Sequence, residues 1–154
     1  MEGPGEDNGI LDAPLVLSTG APTTVRELAG GRDVLVYFMR TFTCPPCRGH
    51  VRQLGSAQPL LRAAELAVVV VGPGNPDEAD TLRDHLHVPF PVAADRERRV
   101  FRAAGLERGI AGLQRSGAVA YDLDGRELFA HRTTLPIRAP DLDRLLATVR
   151  GRRA

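Results

Sequence analysis

The chain has no lysine and no tryptophan, only two cysteines, and no long apolar run. Each shortage excludes something. All twenty basic residues are arginine and nineteen acidic ones balance them, leaving a net charge of +1. That charge gives no electrostatic reason to expect a nucleic-acid or membrane partner. The closing Arg150-Gly-Arg152-Arg153 is too short to serve as a basic binding arm. No apolar stretch approaches the roughly 18 residues that a bilayer span requires. Met1 to Gly9 is acidic and glycine-rich, with neither the basic nor the apolar part of a secretory signal, so a cytoplasmic location is the expectation. Residues 1–10 are expected to form a disordered lead-in and residues 11–154 a single domain.

Two cysteines are also too few for a disulfide scaffold. They stand three positions apart, at Cys44 and Cys47. Closing so short a loop removes little unfolded-state entropy, on the order of 2 kcal/mol. A domain of 154 residues buries roughly two-thirds of its unfolded surface and has little need of that help. In a reducing compartment such a pair points to catalysis rather than to a staple.

What is present is an alternation of strand and helix signals. Val34–Met39 and the valine-rich Leu66–Val71 are apolar runs of strand length, apolar on both faces, as in the centre of a covered sheet. Between them Cys47, Val51 and Leu54 recur at helical spacing, with Pro45 and Pro46 in the first turn and Gly55 and Pro59 ending or kinking the helix. Asn75-Pro-Asp-Glu78 opens a second helix with Ala79, Leu82 and Leu86 on one face. A short strand at Val92–Ala94 and a helix through Val100, Phe101 and Ala104 follow. Ala118–Tyr121 and Glu127–Arg132 flank Asp122-Leu-Asp-Gly125, a hairpin turn. A last helix begins near Pro140 and carries Leu142, Leu145, Leu146 and Val149 on one face. The order predicts an α/β protein of thioredoxin-like fold, a central mixed β-sheet flanked by helices.

The chemistry lies where the first central strand hands over to a helix, at Thr41-Phe-Thr-Cys44-Pro-Pro-Cys47-Arg48. A thiol reacts as its thiolate, and a helix N-terminus favours that anion through its dipole and its free N–H groups. Arg40 and Arg48 add positive charge if they turn towards it. Positions i and i+3 share a helix face, so a disulfide can form across the first turn. Cys44 is expected to be the exposed attacking sulfur, and Cys47, deeper in the helix, the one that acts second. Blander readings stay open. A zinc site needs about four ligands, and only His50 is near. The pair would otherwise be two idle core cysteines. His50, one turn beyond Cys47, could favour a thiolate if protonated but reads as part of a solvated helix face; His85 and His87 at a helix end and His131 on a strand read as surface or satisfied histidines. Gly72-Pro-Gly74 lacks the third glycine of a dinucleotide loop and reads as a strand-to-helix turn.

From Leu15 to Val149 the chain resembles the alkyl hydroperoxide reductase/thiol-specific antioxidant group, the peroxiredoxin-like branch of the thioredoxin superfamily. The resemblance rests on Val34-Leu-Val-Tyr-Phe38, Phe90-Pro-Val-Ala-Ala-Asp95, and Arg115-Ser-Gly-Ala-Val119 leading into Asp122-Leu-Asp-Gly125. Family members carry a PxxxTxxC pattern and an arginine entering a later strand. Thr41 and Cys44 match that pattern and Arg115 matches the arginine, whereas Tyr37 occupies the proline position. The resemblance implies that Thr41 hydrogen-bonds a peroxide and that Arg115 holds the Cys44 thiolate and steadies charge on the leaving oxygen. It further implies a cycle in which Cys44 becomes a sulfenic acid, Cys47 closes a disulfide with it, and a thioredoxin-like or low-molecular-weight thiol reduces both. No cofactor is implied: neither metal, haem nor nucleotide. Exposed edges in this fold often pair copies, so a homodimer is among the assemblies implied. A second reading is a disulfide reductase, although thioredoxins carry a cis-proline where this chain reads Arg115-Ser-Gly-Ala. A third is a non-enzymatic redox sensor or partner-binding protein.

Overall fold

The structure, a computed structural model, describes residues 9–109, 112–135 and 137–153. Residues 1–8 of the expected lead-in lie outside the described residues. Ile10 does not behave as lead-in: it is buried with Leu11 and Ala13 against one face of the sheet.

Seven strands form one sheet in the order β2-β1-β5-β4-β3-β6-β7. They are β1 (Leu15–Leu17), β2 (Pro22–Thr23), β3 (Asp33–Phe38), β4 (Leu66–Gly72), β5 (Val92–Ala94), β6 (Ser116–Tyr121) and β7 (Glu127–Thr133). The helices are α1 (Val25–Ala29), α2 (Pro45–Ser56), α3 (Gln58–Ala63), α4 (Pro76–Leu86), α5 (Arg99–Ala103) and α6 (Leu142–Arg153). β3, β4 and β5 run parallel to one another, while β1 pairs antiparallel with β2 and β5, and β6 with β3 and β7, so the sheet is mixed as expected. Every residue of β3 and β4 is buried. That follows from the unbroken apolar runs, which leave no face for solvent.

The alternation of side chains along β3 divides the core. Leu35 and Tyr37 point to one side, where they meet both cysteines and Val51 of α2, Leu82 of α4 and Leu145 of α6. Val34, Val36 and Phe38 point to the other, against Val25 of α1 and Phe101 of α5. The break between α2 and α3 falls at Ala57, and Pro59 lies in the first turn of α3, where a missing N–H costs nothing. Asn75 caps α4 in a full capping box with Glu78. The hairpin turn is tied by Asp122, whose Oδ1 accepts from the Asp124 and Arg126 N–H groups, while Gly125 takes a left-handed φ of 84°. None of the described helices is long and apolar enough to cross a membrane.

Candidate active site

β3 delivers the chain to the cysteines. Beyond Phe38 the Met39 N–H still bonds to the Val71 carbonyl at 2.8 Å, and the next residues leave the sheet. Phe42 fixes the loop. Its ring lies on the backbone of the following strand-to-helix turn, so close that a Cβ on Gly72 would meet it at 2.5 Å and one on Gly74 at 3.0 Å. Gly72 therefore makes room for the Phe42 ring, and Gly74 for the Glu78 carboxylate of the α4 capping box as well as for the ring.

Cys44 is the N-cap of α2, with extended backbone, and Pro45 and Pro46 fill the first turn. Two prolines leave few donors at this helix end. The Arg48 N–H goes to the Cys44 carbonyl at 3.0 Å, and the Cys47 N–H points at the Cys44 Sγ at 3.4 Å. One backbone donor thus faces the sulfur that must carry negative charge. The two sulfurs are joined in a disulfide, with Cα atoms 5.3 Å apart. Cys47 is fully buried, as expected, but Cys44 is only 2% exposed rather than open to solvent. The N-cap geometry explains the difference, because it folds the Cys44 side chain back over the first turn into the apolar cluster beneath.

Thr41 is exposed; its carbonyl accepts the Cys44 N–H at 3.3 Å and its Oγ1 lies 3.3 Å from Thr43 Oγ1. It shares the cysteine loop. Arg115 does not join it. Its Nη1 donates to the Gly105 carbonyl at 3.3 Å and its stem packs over Gly109. Among the described residues no hydrogen bond connects it to either sulfur. Strand alternation accounts for this: Ala118 and Ala120 of β6 face the cysteine side, Val119 and Tyr121 the other. Arg115 has the parity of the second set. Arg48 turns to α4, with Nη2 3.3 Å from His85 Nδ1. Together with Phe42, Thr43, Asp77 and Leu82 it lines an open groove of about 340 Å³ beside the cysteine loop.

His50 is not on a solvated face. It is buried, and its Nδ1 lies 2.7 Å from the hydroxyl of Tyr37, the residue at the family's proline position. Cys47, His50, Val51 and Leu54 fall at i, i+3, i+4 and i+7, so the sequence did carry the signal that His50 belongs to the buried stripe. Burial, and then the charge of His131, hold the His50 pKa below its ordinary 6.5. Burial raises Tyr37 above its ordinary 10.0. Among the described residues no cluster of three or more His, Cys, Asp or Glu side chains is placed to hold a metal.

Residues 11–138 match the model of the AhpC/TSA family. The chain belongs to that family. A curated relative, the chloroplastic thioredoxin-like protein AAED1 of Arabidopsis thaliana, is 28% identical over 66% of this chain and 41% of its own length. The chain spans less than half the length of the curated relatives it matches. Solved structures match almost end to end. The bacterioferritin comigratory protein of Xanthomonas campestris superposes with a TM-score of 0.78 at 20% identity over 94% of each chain. The peroxidoxin BcpB of Mycobacterium tuberculosis gives 0.80 at 18% identity, covering 96% of this chain and 97% of that one. The fold is the thioredoxin-like one that the element order predicts.

Proposed function

We propose that this AhpC/TSA protein is a thiol peroxidase that reduces hydrogen peroxide or organic hydroperoxides at Cys44. One observation carries the reading: Cys44 caps α2 at the end of β3 and is joined to Cys47 across the helix's first turn. In the reduced protein the Cys44 thiolate attacks the nearer peroxide oxygen. The O–O bond breaks, water or an alcohol leaves with a proton, and Cys44 is oxidised to a sulfenic acid. Cys47 then displaces the sulfenic oxygen as water and the disulfide forms. An external dithiol, thioredoxin-like, or two low-molecular-weight thiols return both cysteines to the reduced state. Thr41 supplies the hydroxyl that orients the peroxide. Arg115 supplies charge to the leaving oxygen, which requires its guanidinium to leave the weak bond to the Gly105 carbonyl. The family relationship and the alkyl peroxide reduction attributed to the Xanthomonas campestris protein support this assignment. The reading includes a cytoplasmic setting, where reducing thiols are abundant, and pairing of copies through an open sheet edge.

The diversion of Arg115 and the presence of Tyr37 favour one second reading, a disulfide reductase acting on protein disulfides. Rapid mixing of reduced protein with hydrogen peroxide and with an organic hydroperoxide separates the two. Fast loss of Cys44 thiolate absorbance is the expected result. Slow oxidation together with efficient insulin-disulfide reduction would establish the second reading instead.

A further inference from the structure

The Tyr37–His50 hydrogen bond is buried polar chemistry that the peroxide cycle, as written above, does not use. Tyr37 is fully enclosed in the same apolar cluster as the two cysteines, and His50 stands one helical turn from Cys47 on the same face. Side chains at that spacing have Cβ atoms about 5–6 Å apart. The rings lie nearly parallel, at an interplanar angle of 25°, and the hydroxyl meets Nδ1 at 2.7 Å. Among the described residues His50 Nδ1 is the one hydrogen-bond partner of the protonated Tyr37 hydroxyl, so the O–H is assigned as donor and Nδ1 as acceptor. The neutral imidazole is thereby fixed with its own hydrogen on Nε2.

We infer that the Tyr37–His50 pair is the proton acceptor for the Cys47 thiol and sets the pH at which Cys47 enters the disulfide. The step rests on the proposed peroxidase cycle. Cys47 S–H gives its proton to the Tyr37 oxygen as the Tyr37 hydrogen passes to His50 Nδ1. The Cys47 sulfur bonds to the Cys44 sulfur, the S–O bond breaks, and the imidazolium returns a proton to the departing hydroxide as water. Cys44 falls from sulfenic acid to disulfide and Cys47 rises from thiol to disulfide, so electrons balance.

The charge that acts on His50 is that of His131. Tyr37 of β3 stands opposite Ala118 of β6, which stands opposite His131 of β7, so a single methyl separates Tyr37 from His131 in that row. His131 has its Nε2 3.3 Å from the Arg138 carbonyl. The groups that α4 and α6 bring nearby are engaged elsewhere: His85 with Arg48, and Arg144 with the Phe129 ring and the Ala130 carbonyl.

The test is the pH profile of disulfide closure in the full chain, followed by acid quench, alkylation and mass spectrometry. Closure is started in two ways: from the Cys44 sulfenic acid after a hydroperoxide pulse, and from a Cys44–glutathione mixed disulfide. The wild type should show a plateau that bends down at acid pH. Among the described residues no Glu or Asp is bonded to either ring, so His50→Gln should abolish the plateau. Its closure should then climb with hydroxide and fall at least tenfold at neutral pH relative to its own sulfenate formation. Tyr37→Phe, which keeps the ring and removes the oxygen that takes the Cys47 proton, should lose the plateau as well. A plateau retained in His50→Gln, or retained in Tyr37→Phe should the first variant not fold, overturns the proposal. Inertness to hydroperoxide with the expected profiles from the mixed disulfide overturns the peroxidase reading and supports the pair's role.

Discussion

The Phe42 ring rests directly on Gly72, and this contact ties the cysteine loop to the end of the neighbouring strand. Gly72 does not have a left-handed backbone, so replacing it costs only what its new methyl group displaces. The ring cannot yield without moving the loop that ends at Cys44. Gly72→Ala should therefore destabilise the protein by about 1–3 kcal/mol, as overpacking does, and slow Cys44 oxidation. Urea melts and thiolate loss measure the two effects. Adding Phe42→Leu should recover much of both, because a smaller side chain relieves the same clash; strict additivity in the double mutant would argue against the contact.

The large elements were legible in the sequence for simple reasons. β3 and β4 are unbroken apolar runs, and the Asp122–Gly125 turn and the leucine stripe of α6 carry their own local signals. What escaped was short or non-local. β1 has three residues, β2 two and α1 five, too few for any period to register. The burial of His50 depends on a tyrosine thirteen residues earlier on another element, although the i+3 spacing from Cys47 already placed it on the apolar stripe. The placement of Arg115 depends on which face of β6 its position shares, a matter of register that a motif match does not contain.

Removing the second sulfur separates the two chemical steps. In Cys47→Ser the Cys44 sulfenic acid has no internal partner. The protein should consume one equivalent of peroxide and stop, then accumulate sulfinic and sulfonic acid as peroxide is added. Intact-mass spectra after each addition follow this directly. A Cys47→Ser protein that turns over peroxide with an external dithiol at the wild-type rate, and resists over-oxidation as the wild type does, would show that Cys47 is not the resolving group.

Stability should be flat near neutrality and decline on both sides. His50 titrates below 6.5 in the folded chain, so the unfolded chain takes up a proton first as pH falls, and stability present above 6.5 is lost through the range beneath it. Tyr37 and Tyr121 are both raised by burial above 10.0. The unfolded phenols ionise first, and stability held below pH 10.0 is lost as pH rises past it. A further loss is expected below 3.8, where Asp122 is held ionised chiefly by the Arg126 N–H. Thermal melts of the oxidised protein across this range provide the check. His50→Gln should flatten the limb that begins below pH 6.5, and a limb unchanged in that variant would assign it to other groups.

Arg115 decides how far the family mechanism applies to this chain. In the oxidised form its guanidinium sits on the Gly105 carbonyl through a single bond of 3.3 Å, an exposed contact worth little to the fold. A peroxide in transit builds negative charge on the leaving oxygen, and a lost preorganised donor costs roughly 100-fold or more in rate. If reduction frees Arg115 to face Cys44, Arg115→Ala should slow peroxide reduction by about that factor while moving the urea midpoint by no more than about 0.5 kcal/mol of stability. Arg115→Lys should recover only part of the rate, because an ammonium lacks the planar fork of the guanidinium. An Arg115→Ala protein that reduces hydroperoxide at the wild-type rate would mean that the arginine stays on Gly105 throughout. The N-terminus of α2, with its Cys47 N–H on the Cys44 sulfur, would then supply favourable potential at Cys44 without Arg115.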